Sequence, residues 1–295
     1  MDVLFTTNKK EAELAIAQGY TAVECSFGNK TLANDKKEPF DHHNQYSSLP
    51  SATLQALKSS KITKGVVVNH IDFDSVMAAA LLLGKVNRGN TNIKDLVTLI
   101  DITDREGLKA LTKVQRSSPA GKMILYFYAH TESLAPSKAN FMKSLGLAKN
   151  FEGGLTPEME AAADKFDRGR AEEAERGIVR QKGDVLLVHS DMIGFDFWYK
   201  KAPVVVLYNG TRKTISIGVI NIEKSEELFG PRGLKNVFPK LGPEWGGREN
   251  IGGSPRGKEM TFSDAEEIFE KIVDMLNKKK VASSSDWVGI YLESR

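Results

Sequence analysis

The sequence predicts an α/β protein, a parallel sheet with helices on both faces followed by a smaller α/β unit at the C-terminus. Three observations lead there. Short β-branched runs alternate with helical stretches through residues 1–155, as in strands joined by crossover helices. A stretch rich in Ala, Glu and Arg fills residues 156–182 and reads as a connecting helix. Apolar alternation resumes over residues 183–295 and closes with a glycine-dense loop and an amphipathic helix.

Each element has a local reason. Residues 11–18 carry small apolar residues on one helical face, and Gly19 stops them. Residues 21–25 make a short strand. Ser47 and Ser48 offer hydroxyl caps to a helix over 49–57. The run Gly65 to Asn69 is a candidate buried strand, and a helix over 74–83 ends at Gly84. Residues 96–100 read as the next strand, ending on Asp101, and 123–128 as a further apolar run in the same alternation. Thr156-Pro157-Glu158 is a helix start, with proline at its first position. Residues 185–188, 204–208 and 214–220 read as strands, and residues 242–257 as the glycine-dense loop. Thr261 to Asp264 caps a final helix through Leu276.

Composition excludes several classes. Apolar residues make up 41% and charged residues 27%, the balance of a soluble globular protein. A net charge of +3 suits an anionic ligand but falls far short of a duplex-binding stripe. One cysteine rules out an internal disulfide and a thiolate zinc site, and Cys25 reads as a small buried hydrophobe. No apolar run approaches the ~20 residues that span a bilayer, so no membrane partner is expected. Residues 1–5 lack the basic-then-apolar pattern of a secretory signal, and a cytoplasmic location is expected.

The chemistry lies in two short clusters. Of the 5 histidines, three fall in Asp41-His42-His43 and in His70-Ile71-Asp72-Phe73-Asp74. Each cluster sits where a strand should end and a helix begin, which is where an open α/β sheet places its ligands. His70, Asp72 and Asp74 alternate, so an extended backbone would present all three on one side. Imidazole and carboxylate together suit a divalent metal, and the excess of carboxylate favours Mn²⁺, with Mg²⁺ as the harder alternative. The plainer reading makes Asp72 and Asp74 caps of the following helix. The Asp-His-His triplet would then be a solvated turn. His130 and His189 stand alone at the ends of apolar runs and read as core or rim residues.

These clusters resemble the DHH phosphoesterase superfamily, which includes RecJ-type exonucleases, oligoribonucleases, cyclic-dinucleotide phosphodiesterases and manganese pyrophosphatases. The loop Gly246-Gly247-Arg248-Glu249-Asn250-Ile251-Gly252-Gly253-Ser254-Pro255-Arg256-Gly257 is similar to the glycine-rich loop of the DHH-associated domain. Its Gly-Gly-Arg form also resembles the C-terminal domain of alanyl-tRNA synthetases. The motif order is reversed relative to most of the superfamily. A parallel sheet re-entered at a different strand still keeps its strand ends on one edge.

The resemblance implies two Mn²⁺ ions held by Asp41, His42, His70, Asp72, Asp74 and Asp101, with Asp104 as an alternative to Asp101. Glu24 or Asp35 would stand for the bridging aspartate. Catalytic roles fall to His42, His43 and Asp72. Substrate contacts fall to His43, Gly246, Gly247, Arg248, Asn250, Gly252, Gly253 and Arg256. Paired glycines let backbone N–H groups approach a phosphate, and arginines bind its oxygens bidentately. The aromatic run Phe195 to Tyr199 offers base stacking or, more simply, core packing.

The reading is a metal-dependent phosphoesterase acting on a short oligonucleotide or small nucleotide, with a homodimer allowed. The alternatives are a nucleotide- or RNA-binding protein with a lapsed metal site, and a pyrophosphatase or polyphosphatase.

Overall fold

The computed structural model describes residues 2–28, 30–131, 133–192 and 194–292. The fold is mixed α/β, with a parallel sheet in the N-terminal part and a mixed sheet in the C-terminal part. The parallel sheet has three strands, Asp2–Phe5, Gly65–Val68 and Thr21–Ala22, with Gly65–Val68 in the centre. Val66 pairs with Val3 on one side and Thr21 on the other. All four residues of the central strand are buried, as expected of a strand covered on both faces. Because the strands are parallel, the residues after Phe5, Ala22 and Val68 emerge on one edge.

Two segments expected as strands are helices. Residues 96–100 lie inside the helix Thr91–Glu106, capped by Asn90, whose side chain accepts the Ile93 N–H. Ile93, Leu96, Val97 and Ile100 are buried along one face, a spacing of three and four that only a helix satisfies. Residues 123–128 lie inside the helix Pro119–Thr131, where Ala120, Met123, Ile124, Phe127 and Thr131 face inward. A short apolar run read alone does not separate a buried helix from a buried strand. His130 therefore ends a helix, and its Nδ1 lies 2.9 Å from the Tyr126 carbonyl oxygen.

The connecting helix runs Pro157–Arg176, with Pro157 in its first turn and a Thr156 cap. It stops short of the expected end because residues 178–182 form an edge strand, Ile178–Lys182, antiparallel to Val185–His189. On one side the helix pairs Glu160 and Asp164 with Lys122. On the other, buried Arg170 bonds Asp196, and Trp198 donates to the Ala174 carbonyl. Phe195 and Trp198 are buried in a cluster with Val188, Val205 and Leu207, so this aromatic segment is core.

The second sheet has six strands in the order Gly246–Gly247, Ile251–Gly253, Thr214–Val219, Val204–Asn209, Val185–His189, Ile178–Lys182. The glycine loop is thus a small hairpin on the sheet edge. Its open end meets the N-terminal part: a Cβ on Gly246 would lie 3.1 Å from the Gly28 backbone. Only glycine allows so close an approach of two chains. The final helix, Phe262–Leu292, buries Ala265, Phe269 and Ile272 against this sheet. Among the described residues no helix is long and apolar enough to cross a membrane.

The helix Phe73–Leu82 is buried at every residue. Phe73 stacks on Phe127 with ring centroids 3.9 Å apart. Phe127→Ala should cost about 3–5 kcal/mol of stability, read as a lower denaturant midpoint. Val114→Ala, at an 81% exposed position, should move the midpoint by less than about 0.5 kcal/mol. Equal effects at the two positions would contradict this account of the core.

Candidate metal centre

The edge of the parallel sheet gathers the titratable groups. Glu24 follows the strand Thr21–Ala22, and its N–H donates to the Phe40 carbonyl at 3.0 Å. Both residues are left-handed, at φ 47°, a region non-glycine residues enter at a cost of about 1–3 kcal/mol. This pairing brings Asp41-His42-His43 beside Glu24. Gln55 holds it there, accepting the Phe40 N–H and donating to the Asp41 carbonyl. His70 follows the central strand. Asp72 caps the helix Phe73–Leu82, taking the Ser75 N–H on Oδ1 and leaving Oδ2 2.8 Å from His70 Nε2.

Glu24 is the hub. It is fully buried, and neither carboxylate oxygen has a hydrogen bond of acceptable geometry. Its nearest polar neighbours are imidazole nitrogens: His43 Nδ1 at 3.0 Å, His42 Nε2 at 3.7 Å and His70 Nε2 at 3.9 Å. His42 Nε2 lies 2.7 Å from Asp104 Oδ2 and 3.9 Å from Asp74 Oδ2. Three sets of side chains each bring ligand atoms within 4.8 Å of one another: Glu24, His42 and His43; Glu24, His70 and Asp72; His42, Asp74 and Asp104. Glu24 and His42 each belong to two sets, so the sets are contiguous.

Other expected site residues are placed differently. Asp41 is fully buried, but His43 occupies its Oδ1 through both its backbone N–H and its Nδ1, and Ser26 donates to Oδ2. It orients His43 and enters none of the three sets. Asp101 is not brought to the cluster. It lies on the helix Thr91–Glu106, where it accepts the Ser51 N–H and pairs with Arg105 at 2.6 Å. Asp104, three residues on and so on a neighbouring face, takes that place. Asp35 is exposed and accepts the Lys37 N–H in a turn, so of the two carboxylates only Glu24 lies in the cluster. Asp74 is not the cap but sits in the first helical turn. Its two oxygens take the N–H groups of Ala52 and Thr53, each at 2.8 Å.

The glycine hairpin faces this cluster. Arg248 Nη2 lies 2.8 Å from His42 Nε2 and 3.3 Å from Asp104 Oδ2. Arg256 bonds Asn69 and lies 2.7 Å from His70 Nδ1. Gly246, Gly247, Gly252 and Gly253 form the paired strands beneath these arginines. Asn250 contributes its carbonyl to Val219 N–H at 2.7 Å. The sequence did not single out Asn69, Ser26 or Gln55. They are ordinary polar residues whose roles arise from what folds against them.

Burial and mutual charge set the protonation. Burial, with Asp41 close by, holds the Glu24 carboxyl well above the usual range. Burial, reinforced by Asp104, pushes Asp74 up to about 7. Burial works against protonated His42, but Glu24 and Asp104 outweigh it and raise His42 to about 9. His70 is held below the usual histidine range by burial and by Arg256. Burial would raise Asp72 and Asp104, yet His70 and His42 respectively pull each below the usual range. So many carboxylates around histidines, with an orphaned buried carboxylate at the centre, match the chemistry of a divalent cation site.

No family model matches this chain, and no characterised protein sequence matches it. A solved structure of a pGpG-specific phosphodiesterase, PggH from Vibrio cholerae, is similar over 88% of this chain and 99% of its own, at 11% identity and a TM-score of 0.41. At that TM-score the likeness carries no argument about this chain's chemistry.

The raised His42 gives a pH dependence with a definite sign. Between about pH 7 and 9, unfolded His42 is neutral while folded His42 still holds its proton. The folded state then binds more protons, so stability falls as pH rises through that window. With chelator present, the melting temperature should drop from pH 7 to 9, and His42→Gln should flatten the drop. A wild-type melting temperature that stays level from pH 7 to 9 would refute the assignment.

Proposed function

We propose that this chain is a divalent-metal-dependent phosphoesterase acting on a short oligonucleotide or small nucleotide. The observation that carries the reading is the Glu24 carboxylate. A fully buried carboxylate without hydrogen bonds, 3.0–3.9 Å from three imidazole nitrogens, is expensive unless cations complete it.

Glu24, His70 and Asp72 would hold one ion, and His42, Asp74 and Asp104 the other, with Glu24 between them. Such ions would supply water activation and neutralise phosphoryl charge. The chain's own residues do the rest. Asp41 fixes the His43 ring at the edge of the cluster, where the imidazole can donate to a phosphoryl oxygen. Ser75 and the helix N-terminus fix Asp72. Asn69 and Arg256 occupy the Nδ1 side of His70, which leaves Nε2, facing Asp72 and Glu24, as the atom that would ligate. Arg248, at the hairpin turn, and Arg256, just after the hairpin, present N–H groups that match phosphate oxygens. The core position of Phe195 and Trp198 removes base stacking from that segment, so recognition rests on the phosphate and on the hairpin.

The test is Mn²⁺-dependent turnover of di- and tetraribonucleotides, a cyclic dinucleotide, a 3′,5′-bisphosphonucleoside, pyrophosphate and a model phosphodiester. Turnover of a nucleotide should fall at least about 100-fold in Glu24→Gln, His70→Ala and Asp72→Ala. Turnover of pyrophosphate alone would reassign the substrate. Nucleotide binding without turnover by a well-folded chain would replace the enzyme with a binding protein.

A further inference from the structure

We infer that Arg248 is a tethered cation that competes with the divalent ion for the His42, Asp74 and Asp104 set, so that metal loading precedes phosphate binding. The inference rests on the metal-site reading above and concerns this chain's own side chain toward that ion.

The observations are geometric. Arg248 Nη2, His42 Nε2 and Asp104 Oδ2 form a tight triangle with sides of 2.7, 2.8 and 3.3 Å. Nη2 also lies 3.0 Å from His42 Nδ1, so the guanidinium rests over the His42 ring and against Asp104 Oδ2, a ligand atom of this set. The other end of the guanidinium is anchored as well, with Nη1 3.4 Å from the carbonyl oxygens of Asp104 and Arg105. Those carbonyls belong to the last turn of the helix Thr91–Glu106, the negative end of its dipole. Arg248 is thus seated by a carboxylate and a helix terminus, beside the His42 ring.

The carrier of Arg248 is separate from the cluster. Arg248 sits at the tip of the Gly246–Gly247 and Ile251–Gly253 hairpin, where its N–H donates to the Ile251 carbonyl at 2.7 Å. Gly247 is left-handed at φ 155°, and a Cβ there would lie 2.3 Å from Gly252 Cα. The turn holds the arginine at the cleft mouth whatever its side chain contacts. A guanidinium against Asp104 Oδ2 and over the His42 ring excludes a divalent ion from this set by space and by charge. Once displaced, Arg248 stays on its hairpin within reach of the cleft with its N–H donors unspent, which suits a phosphate arriving after the ion.

Arg256 provides the contrast. It lies on the Nδ1 side of His70, whereas Asp72 and Glu24 lie on the Nε2 side. It does not cover the ligand atoms of the Glu24, His70 and Asp72 set.

The experiment is calorimetric titration of the full chain with Mn²⁺ after removal of bound metal by a chelator. Wild type should bind with two unequal affinities. Arg248→Ala and Arg248→Gln should each tighten the weaker phase at least about tenfold, and Arg256→Ala should leave that phase unmoved. The rise in melting temperature on adding Mn²⁺ should also be larger in both Arg248 variants. A purely structural role would lower the melting temperature with and without Mn²⁺ alike. If Mn²⁺ binds and His42→Ala weakens it, but neither Arg248 variant tightens it, the competition is refuted and the metal site stands. If no variant binds Mn²⁺, the metal-site reading falls and this inference with it.

Discussion

The Glu24 carboxylate, buried and without hydrogen bonds at the end of a parallel strand, is the constraint around which the rest of the site is arranged. A desolvated carboxylate is costly on its own. Here it is surrounded by the imidazoles of His42, His43 and His70, and each of these is engaged by a further carboxylate. His42 meets Asp104, His43 meets Asp41, and His70 meets Asp72. The left-handed backbone at Glu24 and Phe40 is what turns the two segments toward each other. That strain is tolerable because the Glu24–Phe40 backbone bond and the Gln55 side chain lock both residues in place.

The scaffold serves this arrangement directly. Parallel strands deliver Glu24 and His70 to one edge, and two helix N-termini accept the acidic side chains that surround them. Asp74 belongs to both worlds. Its oxygens hold the start of the helix Ala52–Lys58, yet one of them lies 3.9 Å from His42. A single side chain thereby couples helix packing to the geometry of the cluster. The C-terminal part meets the cluster directly through Arg248 and Arg256. Its approach depends on glycines, because any side chain at Gly246 would meet the Gly28 backbone.

Much of the site was legible in the sequence, and for local reasons. His70, Asp72 and Asp74 share one segment, so their convergence follows from a strand running into a helix. Asp41, His42 and His43 are adjacent, and the glycine-dense loop declares its turn by composition. What was illegible depends on helical phase and on distant contacts. Reading residues 96–100 as a strand made Asp101 the natural terminal ligand. As part of a helix, the same stretch turns Asp101 toward Ser51 and Arg105 and brings Asp104 to His42 instead. The aromatics from Phe195 to Tyr199 are another case, because nothing local told a stacking surface from a core.

By itself the sequence determined the α/β class, the two histidine–carboxylate segments and the glycine-dense loop with its arginines. Each is written in periodicity, in adjacency or in residues with special backbone freedom. Tertiary structure alone decided that Glu24 rather than Asp35 sits at the centre, that Asp104 rather than Asp101 reaches His42, and that Asp41 orients His43. Those choices turn on burial and on contacts between residues far apart in the chain. Arg248 and His42 are 206 positions apart, and only the docking of the glycine hairpin against the N-terminal cluster brings them within hydrogen-bonding distance.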